Sequence, residues 1–269
     1  MSEGIALVRS ARARRLRLRV DPATGAVTLT LPKRASAREA MAWAEANRGW
    51  IDAERAKLPQ ARPFVPGGMV LVEGVDHVIE WDAGRGRGIS VLPELVSGRG
   101  TAGQSPVVEG QPHASPALRA APPPSLRDCP PPRASSGRTL LIGGPAETLS
   151  RRLHAWLRRH ALATLSADTA HYAALAGVSV ARVAVGDARS RWGSCAGSGV
   201  IRYSWRLILV PAWVRHATVA HEVAHRIEMN HSPAFHAAHR ALLGADPAPA
   251  RAWLRAHGAA LHWVGRESS

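Results

Sequence analysis

The chain has 269 residues, of which 46% are hydrophobic and 5% aromatic, and its formal net charge at pH 7 is +15. This length allows one or two domains with a sizeable buried core. Two cysteines are too few for a disulfide framework, and we find neither a signal peptide nor an apolar run of about 20 residues that could span a membrane. We therefore expect a cytoplasmic protein with no membrane contact.

The positive charge favours contact with polyanions such as nucleic acid. It is carried almost entirely by arginine, and alanine, glycine and proline are also abundant. A biased composition explains such a sequence as well as nucleic-acid binding does.

The first predicted elements are a β-hairpin and a helix. Apolar residues alternate with arginines in 15–20, turn formers occupy 21–25, and the alternation resumes in 27–31. Ser36 and Glu39 then form a capping box, which predicts one helix from Ser36 to about Leu58. Trp43 and Trp50 lie seven residues apart on one face of this helix, so we expect them to pack against the sheet.

Short strands follow, and a long insertion interrupts them. Strands are predicted at 69–72, 77–81, 89–92 and 139–142. The intervening residues 94–138 are rich in Gly, Pro, Ser and Ala, include Cys129, and are expected to be disordered. We therefore predict one domain, made of an N-terminal part, residues 1–93, and a metal-binding part, residues 139–265.

The second part begins with helical spacing over 146–165 and a shorter helical piece that ends at Gly177. Residues 178–185 and 200–208 are predicted strands, the latter in a hairpin around 196–199. Pro211 suits the first turn of the next helix, which has a wide apolar surface and should be buried. Further helices are predicted from Ser232 to Leu243 and over 249–257.

The helix that begins at Pro211 carries the pattern H-E-x-x-H, at His221, Glu222 and His225. Residues four apart share a helix face, so both imidazoles can bind one zinc ion. His231 is the preferred third ligand, provided that the helix ends at Asn230, a residue that tolerates the left-handed conformation. Glu228, one turn beyond His225 on the same face, is the alternative third ligand.

Three further side chains have candidate roles in this site. Glu222 would act as general base toward a zinc-activated water molecule. Arg191 would stabilise the developing oxyanion, or would be a surface arginine. Cys195 is interpreted as a buried thiol, with a fourth metal ligand as the less favoured alternative. His236 and His239 are expected to be exposed, or else to support the ligands.

Several motifs in the chain resemble the YgjP-like metallopeptidase domain, which is related to the WLM and SprT-like zincins. The resemblance covers residues 14–92 and 138–262. The motifs that carry it are Arg191–Cys195, Ile201–Leu209, His221–His225 and Met229–Pro233. The chain departs from the family pattern at His236, which follows Phe235 where the family usually has tryptophan. The resemblance implies a bacterial cytoplasmic protein with a small α+β zincin fold, Zn²⁺ held by His221, His225 and His231, and Glu222 as base.

These observations predict a zinc-dependent metallopeptidase of α+β fold, acting on a peptide or protein. Two alternatives remain open. The first is a metal-dependent nucleoside triphosphate pyrophosphatase, an activity known in the family, whose phosphate binding the arginine excess would suit. The second is a nucleic-acid-binding protein with an arginine-rich surface and a non-catalytic metal site. The oligomeric state is not predicted.

Overall fold

A computed structural model of the chain describes residues 4–92 and 138–267, and within these ranges it contains six α-helices and three small β-sheets. The α+β fold class predicted from the sequence is confirmed. The predicted disordered insertion and Cys129 lie outside the described residues, so the domain boundaries stay a prediction.

The N-terminal sheet contains the predicted hairpin and one strand more. Strands β2 (Arg17–Val20) and β3 (Val27–Pro32) pair antiparallel, as predicted. Strand β1 (Ile5–Ser10) pairs parallel to β3 on its other side and was not predicted, because its apolar residues do not alternate. Leu29 and Leu31 of β3 are fully buried against alanines of the following helix.

The single helix predicted after this hairpin is two helices, α1 (Ala37–Ala46) and α2 (Arg48–Ala56). The helix breaks at Asn47, which has φ −101° and ψ 20°, while Ser36 caps α1 as predicted by accepting from the Glu39 amide. The expected packing of Trp43 and Trp50 is wrong, since 39% and 43% of their surfaces are exposed. The small residues of α1, rather than its tryptophan, allow the close approach to the sheet.

The second sheet has the order β4-β5-β7-β6, and its four strands agree with the predicted ones. They are β4 (Met69–Val72), β5 (Val75–Asp82), β6 (Ile89–Leu92) and β7 (Arg138–Gly143). Strands β6 and β7 are antiparallel, with Leu92 opposite Thr139. The two strands that flank the predicted insertion are therefore neighbours.

Helix α3 (Leu149–Ala176) is one continuous helix of 28 residues, where two pieces were predicted. It follows a 3₁₀ turn at Ala146–Thr148. Its C-cap residue is Gly177, whose φ of 63° lies in the left-handed region that glycine adopts easily. Its buried stripe, which includes Leu153, Leu157 and Leu165, lies against the core that surrounds the third sheet and α4.

The third sheet has the order β8-β10-β9, with strands β8 (Arg182–Gly186), β9 (Gly193–Cys195) and β10 (Val200–Ser204). The hairpin around 196–199 is confirmed, with Ile201 opposite Cys195. The strand predicted to reach Ile208 ends at Ser204, because the Ser204 hydroxyl accepts from the Arg206 amide and begins a 3₁₀ turn over Trp205–Ile208.

Three helices complete the chain: α4 (Ala212–Ala224), α5 (Pro233–Leu243) and α6 (Ala248–Leu261). Helix α4 is largely buried, as predicted, and it contacts α3, α5, α6 and β9. Within the described ranges, no helix combines the length and the apolar character needed to cross a membrane.

The residues after α6 return to the N-terminal part of the chain. The Trp263 indole Nε1 donates to the carbonyl of Pro22 at 2.9 Å. Arg62 exchanges backbone hydrogen bonds with this segment, its amide donating to Trp263 at 2.9 Å and its carbonyl accepting from Gly265 at 2.8 Å. These contacts hold the first hairpin against the end of the chain.

Candidate metal centre

Two of the predicted ligands lie at the end of α4, which stops sooner than expected. The last residue of α4 is Ala224, and His225 is its C-cap residue. The predicted end at Asn230 is wrong, since hydrogen-bonded turns follow His225 at once. Among the non-glycine residues that the structure describes, Glu73 alone has a positive φ, so Asn230 is not a left-handed cap.

A different local interaction reverses the chain toward His231. The Asn230 side-chain Oδ1 accepts from the Ser232 amide at 2.9 Å, which forms an Asx turn. The Ser232 hydroxyl in turn accepts from the Phe235 amide at 3.2 Å and caps α5, as predicted. His231 is therefore held between the end of one helix and the cap of the next.

The structure brings together the three predicted histidines, His221, His225 and His231. One ring nitrogen of each lies within 4.8 Å of the other two, and the Nε2 atoms of His221 and His231 are 3.2 Å apart. Tetrahedral zinc with bonds of 2.0–2.1 Å places its ligand nitrogens about 3.3 Å apart. The donor set and its spacing therefore fit a zinc ion.

The surroundings of His225 favour the same geometry. Its Nδ1 lies 3.2 Å from the Glu228 carbonyl oxygen, which can only accept, so Nδ1 carries the proton and Nε2 is free to bind a metal. The Phe235 ring stacks on His225 at 4.5 Å. Glu228, the alternative third ligand, contacts His225 through its backbone, and its carboxylate is not part of the cluster.

Two of the imidazoles, those of His221 and His225, are in surroundings that favour the neutral form, which is the form that binds metal. Burial lowers the pKa of His221 to about 3, and the positive charges that His239, His225 and other nearby groups would carry act in the same direction. Burial also lowers the pKa of His225. Fewer protons compete for these nitrogens at neutral pH than in free histidine.

Glu222 is buried beside the histidines, with 5% of its surface exposed. Burial raises the pKa of its carboxyl group to about 7, although the charge of Arg191 acts in the opposite direction. The carboxyl group fills the space above Gly193 of β9, where an added Cβ atom would lie 2.5 Å from Oε1 and 2.6 Å from Cγ. A side chain at position 193 is incompatible with this placement of Glu222.

A cavity of about 260 Å³ opens beside these groups, and Arg191 and Arg251 line it together with His221 and Glu222. The structure thus places Arg191 in the predicted region, with its side chain exposed. Apolar residues complete the wall: Ala217, Pro247, Ala250 and Leu254.

Cys195 is half-buried outside the histidine cluster, and burial raises the pKa of its thiol. A buried thiol is a poor metal ligand because the thiolate is the form that binds. The interpretation of Cys195 as a small apolar residue agrees with this position.

The structure adds two residues to this site. His239 was expected to be exposed, or else to support the ligands; it is buried, its Nε2 lies 3.0 Å from the Ala217 carbonyl of α4, and its ring is 5.1 Å from that of His221. His236 is exposed, as expected. The role of Gly193 was missed because no local pattern in the sequence indicates that Gly193 lies close to Glu222. The only signal is that Gly193 belongs to the motif Arg191–Cys195.

An α+β domain whose buried helix presents H-E-x-x-H, with a third histidine from the following turn, defines a metal-binding protein of the hydrolase class. Residues 133–257 match the family model of the YgjP-like metallopeptidase domain, the family that the sequence motifs predicted. No curated protein and no solved structure matches the chain. The resemblance of residues 14–92 lies outside the matched range and stays a prediction.

Proposed function

We propose that the protein is a zinc-dependent metallopeptidase in which His221, His225 and His231 hold the metal. The observation that carries the proposal is the convergence of three imidazoles, 3.2 Å apart at their closest nitrogens, beside the buried carboxyl group of Glu222. The match of residues 133–257 to a metallopeptidase family model supports hydrolysis as the reaction class.

When bound, a zinc ion supplies Lewis acidity that lowers the pKa of a water ligand to about 7. Glu222 accepts the proton of the attacking water and delivers it to the leaving amine nitrogen. Burial raises the pKa of this carboxyl group to about 7 in the metal-free site, which makes it a stronger base than an exposed glutamate. Its pocket over Gly193 fixes the direction in which the carboxylate faces the cavity.

Arg191 is the proposed group for the negative charge that develops on the substrate carbonyl oxygen. It lines the cavity shared by Glu222 and His221, and it is exposed enough to move onto a bound substrate. The apolar wall from Ala217 to Leu254 suits a substrate side chain. Arg251, on the same cavity, favours a substrate that carries negative charge nearby.

The same two arginines also support one alternative substrate. Arg191 and Arg251 could bind the phosphates of a nucleoside triphosphate, and hydrolysis to the monophosphate and pyrophosphate would then use the same carboxyl group. The two proposals share the metal site and differ in substrate.

The test compares wild type with Glu222→Gln and His231→Ala. Metal content is measured first, and then hydrolysis of an unfolded protein and of nucleoside triphosphates. We expect about one zinc per wild-type chain, zinc retained but activity lost in Glu222→Gln, and zinc lost in His231→Ala. Zinc-free wild type would refute the proposal, and hydrolysis that survives Glu222→Gln would refute the role of Glu222 as base. Zinc-loaded wild type that hydrolyses neither substrate would favour the non-catalytic, nucleic-acid-binding alternative.

Arg191→Ala is compared with Arg202→Ala, which removes an exposed arginine from the neighbouring strand β10. We expect lower kcat with zinc still bound only in Arg191→Ala. Equal activity of the two variants would dismiss the proposed role of Arg191.

A further inference from the structure

A second and larger cavity, of about 490 Å³, lies apart from the metal centre. None of the described residues that line it also lines the cavity beside Glu222. The chain segment 189–192 contributes to both cavities, since Arg189 lines the larger one and Arg191 and Trp192 line the smaller one. The Trp192 ring also lies 5.5 Å from that of His262, which lines the larger cavity.

The wall of the larger cavity is strongly basic. Four arginines line it, against two carboxylates, which leaves a formal charge of +2 when the histidines are neutral. The arginines are Arg151, Arg189, Arg206 and Arg266, and the carboxylates are Glu147 and Asp187. Asp187 is already paired with Arg206, and Glu147 is exposed, so the other three arginines have no matching buried anion among the described residues.

Two of these guanidinium groups are positioned in advance. Arg206 is 6% exposed, its Nε donates to the Leu261 carbonyl at 3.0 Å, and its Cζ lies 4.8 Å from the centre of the Trp205 ring. Arg266 lies over Trp263 in the same way, also at 4.8 Å. Cation–π contacts of this kind restrict side-chain motion, so little conformational entropy is lost when an anion binds.

Helix α3 adds to the positive potential of the cavity. The first turn of the 28-residue helix α3 contributes Ser150 and Arg151 to the wall, and the positive end of the helix dipole favours negative charge there. Burial and the charges of Arg206 and Arg189 lower the pKa of Arg266, which shows how closely the cations crowd.

We propose that this cavity binds a phosphate-bearing small molecule. Several converging arginines can form paired hydrogen bonds with the oxygens of a phosphate, and the +2 charge of the wall matches a phosphate dianion better than a single carboxylate. A volume of about 490 Å³ is within the usual range of small-molecule sites and leaves room for an organic part beyond the phosphate. This site is independent of the proposed peptidase function.

The test is calorimetric titration of the metal-loaded full chain with inorganic phosphate, pyrophosphate and, for comparison, succinate. The variant Arg189→Ala/Arg266→Ala removes two cavity arginines. The matched control Arg159→Ala/Arg255→Ala removes two exposed arginines that do not line the cavity, so the net charge is the same. Thermal unfolding checks that both variants fold, and each titration is repeated after chelation of the metal.

We expect wild type and control to bind phosphate or pyrophosphate with equal affinity, and the cavity variant to bind at least tenfold more weakly, with or without metal. Equal binding by all three proteins would overturn the proposal, as would binding that disappears on chelation or the absence of binding by wild type. Succinate binding as tight as that of phosphate would overturn the choice of ligand class. If the cavity variant fails to fold, Arg189→Ala alone is used, since Arg189 is an exposed wall residue.

Discussion

Replacing Gly193 by alanine should move the carboxyl group of Glu222 without removing it. The added Cβ atom would lie 2.5 Å from Oε1, 2.6 Å from Cγ and 2.8 Å from Cδ of Glu222, whereas ordinary contact begins at 3.4 Å. The colliding atoms belong to a side chain that can rotate, so the strand keeps its place and the carboxyl group yields.

The size of the effect follows from this overlap. Ordinary contact requires the carboxyl group to retreat by about 1 Å, and a misplacement of that size costs about 100-fold in rate. The three atoms nearest to the added Cβ all belong to Glu222 rather than to a ligand histidine, so we expect the zinc content to stay the same. We therefore expect kcat/KM about 100-fold lower in Gly193→Ala, with one zinc per chain and a small change in Tm.

The assay is hydrolysis of an unfolded protein substrate, together with metal analysis and thermal unfolding. Gly197→Ala is the matched control, because it adds the same methyl group to the turn of the same hairpin with nothing within 4 Å. The reasoning is refuted if Gly193→Ala and Gly197→Ala are equally active, or if the loss of activity is explained by loss of zinc.

Two further changes test the supports of the site and of the fold. Ser232→Ala removes the cap of α5 beside His231, so we expect the protein to lose about 1 kcal/mol of stability. We also expect weaker zinc binding in chelator competition than in Ser198→Ala, which removes an exposed hydroxyl as a control. Unchanged zinc affinity in Ser232→Ala would contradict this prediction. Burial lowers the pKa of His77 below its ordinary 6.5, so the unfolded chain takes up this proton first. The stability that neutral His77 contributes is complete above pH 6.5 and declines as the pH falls toward the folded pKa, by at most about 1.4 kcal/mol per pH unit. In His77→Asn, the free energy of unfolding measured in urea should therefore depend less on pH between 7.5 and 5.5. An unchanged slope of this free energy against pH would contradict the role of His77.

The elements that the sequence predicts well are those with a local physical signal. Alternating apolar residues around a turn identified β2 with β3 and β4 with β5, and Ser36 and Ser232 marked true helix starts. The errors arose where distant contacts decide. Strand β1 exists because β3 offers a free edge, and the break between α1 and α2 at Asn47 is hidden by helical residues that continue on both sides of it.

The candidate site divides in the same way. The spacing of His221, His225 and His231 was sufficient to predict their meeting, although the reversal uses an Asx turn at Asn230 rather than a left-handed cap. The contact of Gly193 with Glu222 joins β9 to α4, and the burial of His239 depends on how α5 packs against α4. Such relations between elements leave no period or motif in a single sequence.

The bond from Trp263 to Pro22 bears on the order in which the chain can fold. It joins residues 241 positions apart, so the first hairpin is synthesised long before its partner leaves the ribosome. Contacts of such long separation close late, because the entropy of a large loop must be overcome first. Until the end of the chain emerges, the N-terminal sheet lacks this contact, and Leu7 and Val8 of β1 are exposed. During that interval the emerging chain is most in need of a chaperone.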